Sequence, residues 1–198
     1  NSGLIGRMYD SIPGQLAIDK RSYVISAATG KKKIDKDQER LYDLLDSKTV
    51  LPCYNVHNPS IALSQTMDSD VFKLYLADTG LFTTMIFNSS KETDSGIYTK
   101  LLSDSLPADL GYLYENAVAQ LISSADRKLY YHTWEKENSS HYYEVDFLLS
   151  SKTKIVPLEV KSSGLGKHES ITVFQKKYSK HVADQILLSQ KDIGNAGM

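Results

Sequence analysis

Apolar residues recur at helical spacing in two stretches and at strand spacing in several others. Leu41, Leu44 and Leu45 make an i, i+3, i+4 stripe among charges, which predicts a helix over 35–47. Leu110, Leu113, Tyr114, Ala117, Val118, Leu121 and Ile122 recur at spacings of three and four, which predicts an amphipathic helix over 106–124. Ser11 followed by Ile12 and Pro13 suits a short helix over 11–17, with Ser as its cap and an early Pro. The runs 50–56 and 71–77 read as strands, separated by a polar loop holding Pro59. Further along, 142–149 and 154–162 read as strands, 170–180 as a helix and 183–188 as a last strand.

The polar run from Asn88 to Gly96 is a loop between periodic segments. It predicts a first domain over 1–87, a linker over 88–105 and a second domain over 106–198. In the first, short helices, a longer helix and a two-stranded ribbon follow the order of a winged helix, an order that many small α+β pieces share. The second, with helix, two strands, helix and strand, predicts an α/β layer, so the whole chain is expected to be α+β. No internal repeat is present.

Composition and charge then remove whole classes of function. With 198 residues, 41% hydrophobic and 24% charged, the chain has an ordinary globular composition. A net charge of −1 excludes a polycation built to coat nucleic acid or membrane. Cys53 is the only cysteine, so there is no intrachain disulfide and no Cys-rich zinc site. That fits a reducing cytosol, and a cytoplasmic location is expected. No apolar run approaches the roughly 18–20 residues of a membrane span. The first residues lack an initiator Met and enter the pattern abruptly, so a fragment of a longer protein is expected.

The chemistry concentrates in the predicted hairpin. Along 142–149, Glu144 and Asp146 alternate with Tyr143, Val145, Phe147 and Leu149; along 157–161, Glu159 and Lys161 share a face. An antiparallel hairpin centred near position 152 brings Asp146 beside Glu159. Like charges facing each other destabilise a sheet. Two readings remain open: a surface salt-bridge cluster, or carboxylates whose repulsion is relieved by a hard divalent cation such as Mg²⁺. Glu115 sits on the rim of its helix's apolar stripe and could face the sheet margin, or be an ordinary helix-flank Glu.

Basic residues are distributed unevenly. Lys31, Lys32 and Lys33, with Lys36 nearby, read as phosphate contacts or as a solvated loop. From 150 to 181, seven lysines, Lys167, Lys176 and Lys177 among them, face two glutamates, a local excess of +5. A basic rim around an acidic metal site suits a phosphodiester substrate, and a lysine-rich solvated helix gives the same count. The five histidines show no paired ligand spacing. Trp134 and the 13 tyrosines fit packing better than base stacking.

Glu115, the segment 144–149 and the segment 157–162 together resemble the PD-(D/E)XK nuclease superfamily, although Val145 stands where its motif has Pro. Over nearly the whole chain, the segments 11–17, 72–81, the Glu115-Asn116 helix, 144–149 and 157–163 are similar in order to the C-terminal region of prokaryotic AAA-type P-loop ATPases carrying a conserved domain of unknown function. That resemblance implies a winged-helix-like segment followed by a restriction-endonuclease-like α/β domain with a central mixed sheet. It implies Asp146, Glu159, Lys161 and Glu115 as catalytic, with Mg²⁺ or Mn²⁺ on Asp146, Glu159, the Val160 carbonyl and Glu115. It implies Gln175 on a DNA-contacting helix, and DNA and a P-loop ATPase domain of the same protein as partners. No G-x-x-x-x-G-K-[ST] loop occurs, so ATP is expected only in a part outside this chain. The function expected is a DNA-cleaving, metal-dependent domain of an ATP-binding protein; the alternative is an inactive DNA- or protein-binding regulatory module.

Overall fold

The computed structural model describes residues 2–18, 22–30, 35–60, 62–87, 111–137, 139–161 and 169–189. Four helices come first: α1 (Ser2–Asp10), α2 (Ile12–Ala17), α3 (Ile25–Thr29) and α4 (Asp35–Asp46). Then follow β1 (Val50–Val56), a 3-10 turn (Leu63–Gln65), β2 (Met67–Leu76), α5 (Thr79–Phe87) and α6 (Gly111–Ser124). The remainder is β3 (Leu129–Glu135), β4 (Tyr142–Val145), β5 (Phe147–Ser151), β6 (Lys154–Lys161), α7 (Glu169–Lys177) and β7 (Ile186–Ser189). The strands form two sheets, of order β2-β1-β3-β4 and β5-β6-β7, and the fold is α+β. The second sheet is mixed, because β6 runs antiparallel to β5 and parallel to β7. The ribbon of β1 and β2, read from the sequence as a wing, is thus continued by two further strands.

Two compact units emerge, and they are interleaved in sequence: 1–53 with 71–128, and 54–70 with 129–198. The linker read at 88–105 lies outside the described residues. Helix α6, assigned by sequence to the second domain, belongs to the first unit. The reason is chemical. Asn116 brackets Leu76, accepting its N–H at 2.8 Å and donating to its carbonyl at 3.1 Å, while Gln120 Oε1 accepts the Thr79 N–H at 3.0 Å.

In the first unit, α6 buries Leu113, Asn116, Ala119 and Ile122, whereas Leu121 of the predicted stripe is 68% exposed. A polar residue defines the buried face because its amide is fully satisfied there. The Ser11 cap is not made. Helix α1 precedes it, and Ser11 Oγ donates back to the Met8 carbonyl at 2.8 Å. Gln15 is the organising residue instead: Oε1 accepts the Val24 N–H at 2.7 Å and Nε2 donates to the Val24 carbonyl at 3.2 Å. Asp78 Oδ1 accepts the Leu81 N–H at 2.9 Å at the start of α5, and a Cβ on Gly80 would come within 3.1 Å of that same oxygen.

The second unit is built on Val56, Leu63, Tyr130, Val145, Leu148, Ile155, Phe174 and Val182, all buried. Burying a side chain such as Phe174 completely contributes about 1.5–3 kcal/mol. The predicted strand 142–149 is broken at Asp146. Val145 pairs with His132 in β3, whereas Phe147 pairs with Leu158 in β6. The chain changes sheets at that residue, so the inside–outside alternation resets, and Val145, Phe147 and Leu148 are all fully buried.

Candidate functional site

The site is assembled around β6. Ladder pairs from Phe147–Leu158 to Ser151–Lys154 fix the register of the β5–β6 hairpin, and its two-residue turn places Lys152 at φ 51°. The ladder ends at Phe147–Leu158, and beyond it Asp146 meets β6 through its side chain rather than by strand pairing. Asp146 lies just outside the ladder, in the bend between β4 and β5. Its Oδ2 accepts the Val160 N–H at 2.7 Å, which holds the carboxylate against the β6 backbone. A charge-assisted bond of this kind is worth roughly twice a neutral one.

Glu159 is buried, with only 4% of its surface exposed. Its Oε1 is ion-paired with Lys161 Nζ, two residues along the same strand and on the same face. Its Oε2 is buried with no hydrogen-bond partner among the described residues. A buried carboxylate oxygen left unpaired costs about 1–3 kcal/mol or more. It needs a reason, and a role in holding a cation is a common one. Among the described residues, no three of His, Cys, Asp or Glu gather as a metal-holding group. Two carboxylates with a backbone carbonyl and waters would still suit Mg²⁺, which keeps much of its hydration.

Glu115 lies in the first unit, on α6, and its Oε2 accepts a hydrogen bond from the buried Tyr75 hydroxyl at 3.1 Å. Gln175, Lys176 and Lys177 are exposed at the end of α7. The Lys177 ammonium lies 5.8 Å from the Trp134 ring centroid and 5.5 Å from that of Tyr178. Lys31, Lys32, Lys33 and Lys167 lie outside the described residues.

A second feature of this unit carried no signal in the sequence. His132, one of five histidines, is buried among Trp134, Phe174 and Tyr178. Its Nδ1 donates to the Val56 carbonyl, and its Nε2 accepts from the Tyr178 hydroxyl at 3.1 Å. Desolvation pushes its pKa down to about 4, against the opposing effect of the Val56 bond, so the ring is neutral near pH 7. Trp134 stacks with both His132 and Tyr143 at 5.2 Å. Its rings are engaged within the protein, which makes it a packing residue as composition suggested.

Residues 110–194 match the family described as "Domain of unknown function (DUF4143)". No curated protein matches the chain. No solved structure does either. The match spans the whole of α6 through β7, and therefore all of Asp146, Glu159, Val160 and Lys161. Among the described residues no helix is long and apolar enough to cross a membrane.

Proposed function

We propose that the second unit carries a divalent-metal-dependent phosphodiesterase site acting on DNA, in a protein whose AAA-type ATP-binding part lies outside this chain. One observation carries the reading: a buried glutamate, Glu159, keeps an unpartnered carboxylate oxygen beside the backbone amide that anchors Asp146. Such an atom suits a cation better than it suits water-free burial. Asp146 and Glu159, with the Val160 carbonyl, are the residues that would hold Mg²⁺ or Mn²⁺. The bound metal would supply a hydroxide and stabilise charge on the scissile phosphate. Asp146 is oriented by the Val160 N–H and Glu159 by the lysine two residues on. Lys161 would offset negative charge on the phosphate. Glu115 belongs to the first unit, where Tyr75 holds its carboxylate, and is given no part in this site.

Incubating the protein with supercoiled plasmid and Mn²⁺ tests this. Wild type is expected to nick DNA, and Asp146→Ala and Glu159→Gln to lose at least about 100-fold of the rate. If all three are equally inactive and calorimetry detects no Mn²⁺ binding to wild type, the reading is wrong.

The exposed Gln175, Lys176 and Lys177 favour a second reading, a DNA-binding module without cleavage. It expects salt-dependent DNA affinity that survives Asp146→Ala and falls in Lys176→Ala/Lys177→Ala.

A further inference from the structure

We infer that Lys161 is an internal counter-ion that occupies the Glu159 carboxylate until a divalent cation takes its place, an inference that rests on the metal-site reading above. Glu159 and Lys161 stand at i and i+2 on β6, so both side chains leave the same face of the sheet. The glutamate is buried, and its charge needs a partner. The Lys161 ammonium is that partner, on Oε1, while Oε2 has none among the described residues.

The two ends of this pair differ in their access to water. The Glu159 side chain is 6% exposed and the Lys161 side chain 29%. The carboxylate cannot turn to solvent, but the long lysine stem lets its ammonium withdraw. A divalent ion arriving at Glu159 meets a positive charge already within ion-pair reach of the same carboxylate. The two cations repel, and the mobile one yields. Metal loading therefore releases the lysine, and the released ammonium becomes available to an anionic group near the metal. The pair offsets the Glu159 charge, leaves that of Asp146 for the ion, and ties the readiness of Lys161 to the presence of the ion.

The test reads metal affinity and the lysine itself, not turnover. By calorimetry, Lys161→Met is expected to bind Mn²⁺ on the order of tenfold more tightly than wild type, because the competing cation is gone. The wild-type protein gives an independent reading that does not depend on how the variant folds. The ¹⁵N-lysine ammonium signal of Lys161, assigned by its absence in Lys161→Arg, is expected to be protected without metal and to shift or vanish on saturation with Mg²⁺. If wild type binds the metal while the Lys161 signal stays unchanged, or Lys161→Met binds no tighter, the counter-ion inference fails alone. If neither wild type nor Lys161→Met binds Mn²⁺, the metal-site reading fails with it.

Discussion

Two buried polar side chains, Asn116 on α6 and Glu159 on β6, occupy opposite chemical situations. Asn116 is completely buried, and its amide spends both ends on the Leu76 backbone and reaches Thr79 as well. Glu159 is almost as buried, yet one oxygen has only the lysine and the other has no partner among the described residues. The first is a structural clamp that joins a helix to a strand end. The second is a charge that the fold satisfies at one oxygen only. Burial of a polar group therefore says little about function until its partners are counted. In the first unit Gln15, Asp78 and Asn116 are each consumed by backbone groups, so those resemblance-bearing motifs read as architecture.

The contrast can be broken most forcefully at the clamp. Asn116→Leu strips the partners from a buried N–H and a buried carbonyl, and should cost about 3 kcal/mol or more in urea unfolding. A loss under about 1 kcal/mol would show that the Leu76 backbone is not held by Asn116.

His132 comes next. Its folded pKa, about 4, lies below its ordinary 6.5, so the unfolded chain binds the proton more readily. Stability is then fully present above about pH 6.5 and is lost as the pH falls toward 4, by roughly 3 kcal/mol in all. His132→Asn should flatten the stability–pH curve across that window. An unchanged slope would mean that other groups carry it.

Glu159→Gln should act in the opposite sense to Asn116→Leu. Removing an incompletely paired buried charge is expected to leave metal-free stability within about 1 kcal/mol of wild type or to raise it, while Mn²⁺ no longer raises the melting temperature. A large loss of stability would place Glu159 with the clamps. The smallest effect belongs to the hairpin turn. Lys152 holds a positive φ of 51°, and Lys152→Gly should stabilise the β5–β6 hairpin by about 0.5–1 kcal/mol in thermal unfolding.

Local pattern made much of the fold legible. The helix at 35–47 appears as Asp35–Asp46 with Leu41 and Leu44 buried, and β1 appears where expected. The hairpin centre near 152 was legible, and the ladder runs from Ser151–Lys154 to Phe147–Leu158 because antiparallel pairing is simple arithmetic once the turn is known. The helix at 106–124 was legible as a helix, but its buried face was not. Counting apolar residues cannot reveal that Asn116 faces inward, since only the Leu76 backbone makes that burial favourable. The break at Asp146 was equally hidden, because Tyr143 to Phe147 alternates across it and the change of sheet is a long-range event. His132 gave no local sign at all; its neutrality comes from burial, against residues such as Phe174 and Tyr178 that are distant in sequence.

Taken alone, the sequence determined which residue types could meet: periodicity set the helices and strands, and strand alternation put Glu159 and Lys161 on one face. Those are properties of neighbouring residues, and they survive any tertiary arrangement. Tertiary structure decided how much water each of them retains. It set which units the chain divides into, where a strand gives way to a bend, and which polar atoms find partners. Solvation and pairing depend on segments far apart in the chain, and for that reason the unpartnered oxygen of Glu159 became visible only in the folded protein.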